Sequence, residues 1–277
     1  MTTTIELHNL LLQAADELEP LPTAVIQLAV AVNQPDTGPE ELAVILGSDP
    51  ALAAHVLREA NSAASASGVA IGSLDQAVVR LGAARTLEIA IRGHLEGRLS
   101  ADLPVYQLSG TERRVHAVAT SIAAEIVARA TRVEVSRDVV CAALLHDMGK
   151  DIIDQVATTP HADLLQDVGL PVMEIERELV QADHAEVGAL VLSKWGLPET
   201  IVLAVNHHHR PTESPEAAVV CLAEGLTSEF LDSGEIETAD DPGNHASAAA
   251  FLRLEDELPS LRDRLGEALE KAGFIDS

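Results

Sequence analysis

ALLHDMGKDI, residues 143–152, sets a histidine and an aspartate side by side inside an otherwise apolar helical pattern. VVC at 139–141 leads into it with the same oily character, and Gly149 followed by Lys150 offers a natural helix stop. Adjacent residues on a helix point about 100° apart. His146 and Asp147 can therefore both reach an ion lying between them, or they can form a buried polar pair that only supports the fold.

The surrounding composition points to helices. Of 277 residues, 47% are apolar and only 2% aromatic, so Leu, Val, Ile and Ala must fill the core. Such side chains suit closely packed helices, whereas a large antiparallel sheet would lack its aromatic cross-strand pairs. No alternating strand pattern extends beyond a few positions, and apolar spacing of three and four recurs throughout. The expected class is all-α.

Helix punctuation divides the chain. Asp49-Pro50 opens ALAAHVLREANSA, Ser73 with Gln76 has the capping-box spacing, and Pro198 and Pro215 stand where first turns should begin. Short helices are expected near 5–18, 22–33, 39–47, 50–60, 74–81 and 83–96. Asn61-Ser62 would end the fourth of these, and His55 would be a partly buried helix residue within it. SADLPVYQLSG, 100–110, breaks the pattern, which separates residues 1–108 as an N-terminal helical subdomain from a second at 109–230. Residues 231–277 then form an acidic link and two helices near 246–256 and 259–272, free either to cap the domain or to pair with another subunit.

The formal charge of −26 repels phosphate backbones and anionic lipid, so neither direct nucleic-acid binding nor membrane binding is expected. Cys141 and Cys221 lie in apolar runs and read as small buried hydrophobes. MTTTIELHNL lacks the basic and apolar regions of a signal peptide, and no apolar run is long enough to span a bilayer. The expected setting is reducing and cytoplasmic.

The second block concentrates polar residues in apolar surroundings. His116 lies in the helix 111–130, with Glu112 one turn earlier. Asp183 and Glu186 have capping-box spacing, which puts His184 in a first turn. NHHHRP, 206–211, follows the apolar run ETIVLAV, so at least one of its imidazoles should point inward. Glu224 sits in VVCLAEGL, where an unpaired carboxylate would cost several kcal/mol. His116, the His146-Asp147 pair or His184 alone reads more readily as a satisfied structural group. Together they form a donor set suited to divalent iron, manganese or zinc, and paired ions of that kind activate water for attack on phosphate. No Gly-rich phosphate loop, strand-borne GxGxxG or CxxC is present.

With these residues in view, the second block resembles the HD superfamily of metal-dependent phosphohydrolases. The span from Leu18 to Leu226 resembles its HDOD branch, which is associated with bacterial signalling and regulation. The resemblance is carried by LEPLP at 18–22, SDPALAAHVLREANSA at 48–63, SLDQAVVRLG at 73–82, ALLHDMGK at 143–150, DHAEVGALVLSKWGLP at 183–198, HHH at 207–209 and VVCLAEGL at 219–226. It implies a multi-helical HDOD fold, with the N-terminal subdomain packed on an HD-like one.

By that resemblance His116 matches the early histidine, His146 and Asp147 the name-giving pair, and Glu224 the position where the superfamily usually has aspartate. Compared with the two-metal cyclic-dinucleotide phosphodiesterases, Glu112 matches the preceding carboxylate, His184 the middle histidine, and His208 with His209 the adjacent pair. Two departures stand out: RPTESPEAAV replaces the Gly-Tyr-Pro loop, and the final carboxylate is one methylene longer.

The resemblance therefore implies a signalling module without turnover, holding one or two divalent ions, iron or manganese first, and acting through a signalling protein partner. A nucleotide ligand and a homodimer are both compatible with it. The alternative is a metal-dependent phosphohydrolase of a nucleotide or cyclic dinucleotide. In that case Lys150 would meet a phosphoryl oxygen, although it would equally end its helix at the surface.

Overall fold

The computed structural model describes residues 4–64, 71–157, 172–231 and 242–275. Its helices are α1 (Thr4–Glu17), α2 (Thr23–Val32), α3 (Pro39–Gly47), α4 (Pro50–Ala64), α5 (Leu74–Leu81), α6 (Ala83–Leu99), α7 (Gly110–Ala130), α8 (Val139–Leu145) and α9 (Met148–Val156). They continue with α10 (Val172–Val180), α11 (His184–Lys194), α12 (Glu199–Asn206), α13 (Pro215–Ser228), α14 (Pro242–Leu252) and α15 (Leu258–Ala272). Among the described residues, the extended backbone pairs only in an isolated antiparallel bridge, Leu103 to Leu108, inside the segment that breaks the helical pattern. The all-α class holds.

Local signals account for several boundaries. Asp49 Oδ1 accepts from the amides of Ala51 and Leu52 at 2.9 and 3.1 Å and so starts α4. Capping boxes start α7 (Ser109 with Glu112) and α11 (Asp183 with Glu186). Two expectations fail. Ser73 occupies the N-cap of α5 but makes no side-chain cap bond. Asn61 does not end α4, which runs on to Ala64; instead its side-chain amide bonds the Ile71 carbonyl at 3.0 Å and accepts from the Ile71 amide at 2.8 Å. A polar residue that resembles a stop is here a clamp on the returning chain.

Helices α2 to α6 pack among themselves, and α6 joins them to α7 and α8. Asp138, fully buried, ties the two groups further by accepting from Asn33 Nδ2 at 2.5 Å and Thr200 Oγ1 at 2.8 Å. The second group is built on α7, α8 and α13. Ala117, Ala119, Ala123 and Ala124 keep the buried face of α7 slim, and every residue of α8 is buried, so these backbones approach closely. Cys141 and Cys221 are free and buried. Helix α1 precedes the first group in sequence yet packs on α9, α10 and α11, with His8 Nδ1 on the Val180 carbonyl at 2.7 Å.

Helix α14 packs on α13, and α15 on α7. Both C-terminal helices thus cover their own chain. The first of them starts at Pro242, inside the stretch expected as an acidic link, and residues 232–241 of that stretch lie outside the described residues. No described helix is long and apolar enough to cross a membrane.

Candidate metal centre

His146 and Asp147 do not lie on one continuous helix. Helix α8 ends at Leu145, the pair forms the turn, and α9 starts at Met148. Gly149, expected to stop a helix, lies inside α9. A β-carbon there would collide with the carbonyl oxygen of His184 and lie 2.7 Å from the amide nitrogen of Gly188. The glycine serves close packing of α9 on α11, and that packing brings His184 to the HD turn.

Around this turn the structure assembles two groups of donors: His116, His146 and Glu224 in one, and His184, His208 and His209 in the other. Within each group the ligand atoms lie within 4.8 Å of one another. Asp147 stands between the groups. Its Oδ2 is 3.3 Å from His146 Nε2, and its Oδ1, which has no hydrogen-bond partner, is 3.7 Å from His184 Nε2. Glu224 Oε1 is 3.9 Å from His146 Nε2. The Nε2 atoms of His116 and His146 face each other at 3.4 Å, and those of His184 and His209 at 2.9 Å. The His146 and His208 rings, one from each group, have centroids 5.2 Å apart.

Backbone carbonyls and a neighbouring carboxylate decide which nitrogen faces inward. His146 Nδ1 donates to the Ala143 carbonyl at 2.8 Å, and His208 Nδ1 to the Val205 carbonyl at 2.6 Å. With the hydrogen held on Nδ1, the neutral ring presents its Nε2 lone pair to the centre. His208 Nε2 is buried and has no hydrogen-bond partner. His184 is fixed in the same way by Glu176, whose carboxylate receives Nδ1 at 2.8 Å, the His184 amide at 2.8 Å and the Tyr106 hydroxyl at 2.7 Å. A carboxylate behind a ligating imidazole orients the ring and raises its basicity.

Electrostatics follow from this arrangement. Burial opposes ionisation of Asp147, but His146 and Lys150 outweigh it and hold the carboxyl well below its usual range. Burial also opposes the charged form of His146, and the Asp147 carboxylate reverses this and raises its pKa. Burial pushes His208 well below the ordinary imidazole value, with neighbouring histidines adding to the effect, which keeps it neutral and able to ligate. For Glu176, burial pushes upward, but His184 and the hydrogen bonds prevail and lower its pKa. The donors therefore fit one or two divalent ions, which would be held by imidazole nitrogens of both groups and by the Asp147 carboxylate that stands between them.

Lys150 and Glu112 need separate accounts. Lys150 is 1% exposed, so it does not end a helix at the surface; its Nζ donates to Asp147 Oδ2 at 2.9 Å. Glu112 does not join the centre. It is exposed at the start of α7, where Oε2 accepts from the Ser109 amide at 2.9 Å while its own amide donates to Ser109 Oγ at 3.2 Å. The carboxylate one turn before His116 is committed to the capping box and does not converge with the other donors.

Glu176 was not singled out from the sequence. A signal for it exists: in VMEIERELV the apolar stripe Val172, Ile175, Leu179 and Val180 also contains position 176, so a carboxylate stands where the pattern calls for an apolar residue. Helix α14 also reaches the centre, where Asn244 Nδ2 donates to the His209 carbonyl at 3.2 Å.

Residues 18–211 match the family model of the HDOD domain. An uncharacterized protein of Treponema pallidum (strain Nichols) is 26% identical over 275 residues, covering 92% of this chain and 50% of that protein. The chain thus spans about half the length of this curated relative. Among solved structures, a candidate phosphohydrolase of Shewanella amazonensis SB2B aligns with a TM-score of 0.66 at 24% identity, covering 93% of each chain. A candidate signal transduction protein of Marinobacter aquaeolei VT8 aligns with a TM-score of 0.66 at 22% identity, over 96% of this chain and 63% of that one. At these identities the two structures bear on the fold.

Proposed function

Since the chain belongs to the HDOD family, we infer that it is a signalling module holding one or two divalent ions, iron or manganese, without substrate turnover. The observation that carries this is Asp147, which stands between two groups of buried donors whose Nε2 atoms are turned toward one another. A module without an ion would leave Asp147 Oδ1 and His208 Nε2 buried without a hydrogen-bond partner, at an energetic cost. The cavity beside His116, Asp147 and Lys150 measures about 20 Å³, room for a water. The fold it shares with a candidate signal transduction protein agrees with this role. The partner is a signalling protein, and a charge of −26 favours a basic or neutral face on it.

One observation favours a second reading, a metal-dependent phosphohydrolase: Lys150 Nζ lies against Asp147 at the edge of the centre, where it could meet a phosphoryl oxygen. Bound divalent ions would supply Lewis acidity and activate water. The chain itself would orient His184 through Glu176 and hold Lys150 in place.

Elemental analysis of protein prepared without a histidine tag, after growth and reconstitution with iron or manganese, tests the metal. A metal-free product would refute both readings. Protein that retains metal is then assayed with a generic phosphodiester. Hydrolysis lost in His146→Ala would move the assignment to the phosphohydrolase, and no hydrolysis would support the signalling module.

A further inference from the structure

The segment between α6 and α7 carries the chain from the N-terminal helices to those that hold the metal centre. Its two ends meet. A β-carbon on Gly110 would lie 1.8 Å from the Ser100 carbonyl oxygen, and the Gly110 amide donates to Asp102 Oδ1 at 2.7 Å. Between these ends, residues 103–108 form a small hairpin closed by the Leu103 to Leu108 bridge.

Polar contacts pin this hairpin in place. Leu103, Val105, Tyr106 and Leu108 are all buried. The Val105 amide donates to Asp154 Oδ1 of α9 at 2.7 Å, and the Tyr106 hydroxyl to Glu176 Oε1 of α10 at 2.7 Å. Arg113 ties down the base: Nη1 donates to the Arg98 and Ala101 carbonyls at 3.2 and 2.7 Å, and Nη2 to Asp151 Oδ2 at 2.6 Å. The end of α6 is thereby fastened to α9 through the same guanidinium.

The hairpin also borders the metal centre. Leu108 lines the small cavity that touches His116, Asp147 and Lys150, and Lys150 Nζ stands 6.0 Å from the centroid of the Tyr106 ring. The closest connection runs through Glu176. Its Oε1, which accepts from Tyr106, is 3.1 Å from His184 Nδ1, and its Oε2 is 2.8 Å from the same nitrogen. Glu176 is fully buried and has no water to turn toward. The hydroxyl therefore fixes the rotation of the carboxylate, and the carboxylate that of the imidazole.

We propose that the hairpin 103–108 couples the N-terminal helices to the metal centre, with Tyr106 as the residue that positions His184 through Glu176. Resting on the reading of the centre as a metal site, the coupling works in both directions. A partner that shifts the end of α6 draws the hairpin with it, loosens Glu176 and weakens the hold on the ion. A bound ion, in turn, holds the hairpin in place. The quantity that such a module signals with is ion affinity, and no turnover is needed.

Competition of the full chain with a chromophoric chelator for manganese(II), across wild type, Tyr106→Phe, Glu176→Gln and the double variant, tests this. Tyr106→Phe keeps the ring and removes only the hydroxyl, and it should weaken ion binding by about tenfold. In the Glu176→Gln background the same change should have little further effect, because the hydroxyl acts through that carboxylate. A merely structural role would add its loss in both backgrounds. Hydrogen exchange tests the reverse direction: manganese(II) should slow exchange of the hairpin amides in wild type and fail to do so in Tyr106→Phe. The coupling is overturned if Tyr106→Phe binds the ion as wild type does, if its effect persists undiminished in Glu176→Gln, or if the ion leaves hairpin exchange in wild type unchanged. In those cases wild type still takes up the ion and the metal reading stands; wild type that takes up no ion overturns both.

Discussion

Glu176 and His184, eight residues apart, form a buried pair in which the imidazole Nδ1 lies 2.8 Å from the carboxylate while the His184 amide donates to the same oxygen. The carboxylate thus fixes both the ring and the start of α11. Replacing it should loosen the imidazole without removing a ligand. Glu176→Gln is expected to lower divalent-ion affinity by about 10–100-fold, measured by competition with a chromophoric chelator. Unchanged affinity would mean that His184 is oriented by packing alone.

The same pair predicts a pH dependence of stability. The folded-state pKa of Glu176 lies below its ordinary 4.5. The unfolded chain therefore binds the proton more readily, and the stabilisation is fully present above about pH 4.5. It is lost as the pH falls through the depressed folded value. Metal-free wild type should exceed Glu176→Gln by about 1–3 kcal/mol at neutral pH, and chemical denaturation should show the gap closing in acid.

Gly149→Ala places a methyl group against the His184 carbonyl, where two backbones meet. Overpacking of this kind should cost about 3 kcal/mol. Because the shift displaces His184, metal affinity should fall as well. A variant that keeps both its melting temperature and its affinity would show that α9 and α11 can separate freely.

Glu112 separates capping from ligation. Glu112→Ala removes half of the capping box and should cost about 1 kcal/mol with no change in metal content. Loss of bound metal in this variant, checked by elemental analysis, would return Glu112 to the ligand set.

Metal removal should be visible in the unfolding curve. At a free ion concentration about 100 times the dissociation constant, binding stabilises the fold by about 2.7 kcal/mol, and chelator should remove this in wild type and leave His146→Ala unaffected. Because an imidazole must be neutral to ligate and the Asp147 carboxylate raises the pKa of His146, the increment should shrink as the pH falls and His146 takes up a proton. A chelator effect that persists in His146→Ala would place the ion elsewhere.

Much of the fold was legible because it depends on local chemistry. Low aromatic content, apolar spacing and the capping pattern Asp183-Glu186 report on the nearest turn, and the turn answers to them directly. The donor set was legible for a different reason: imidazoles and a carboxylate in apolar company are costly unless they converge, so His116, His146, His184, His208, His209 and Glu224 marked themselves.

What remained depended on which helix faces which. Glu112 and Glu176 are both helix-borne carboxylates, yet one caps its own helix in solvent and the other lies buried behind a histidine. Gly149 looked like a stop because glycine ends many helices; only the approach of α11 shows that it is there to admit a neighbouring backbone. Asn61 reads as a local terminator until Ile71 returns to meet it. The sequence by itself determined the helical class, the family and the histidines that gather at the centre, because propensity, capping and the cost of burying polar groups act residue by residue. The tertiary structure alone decided which carboxylates stand at the centre and that Asp147 lies between its two halves, because these depend on distances between residues far apart in the chain.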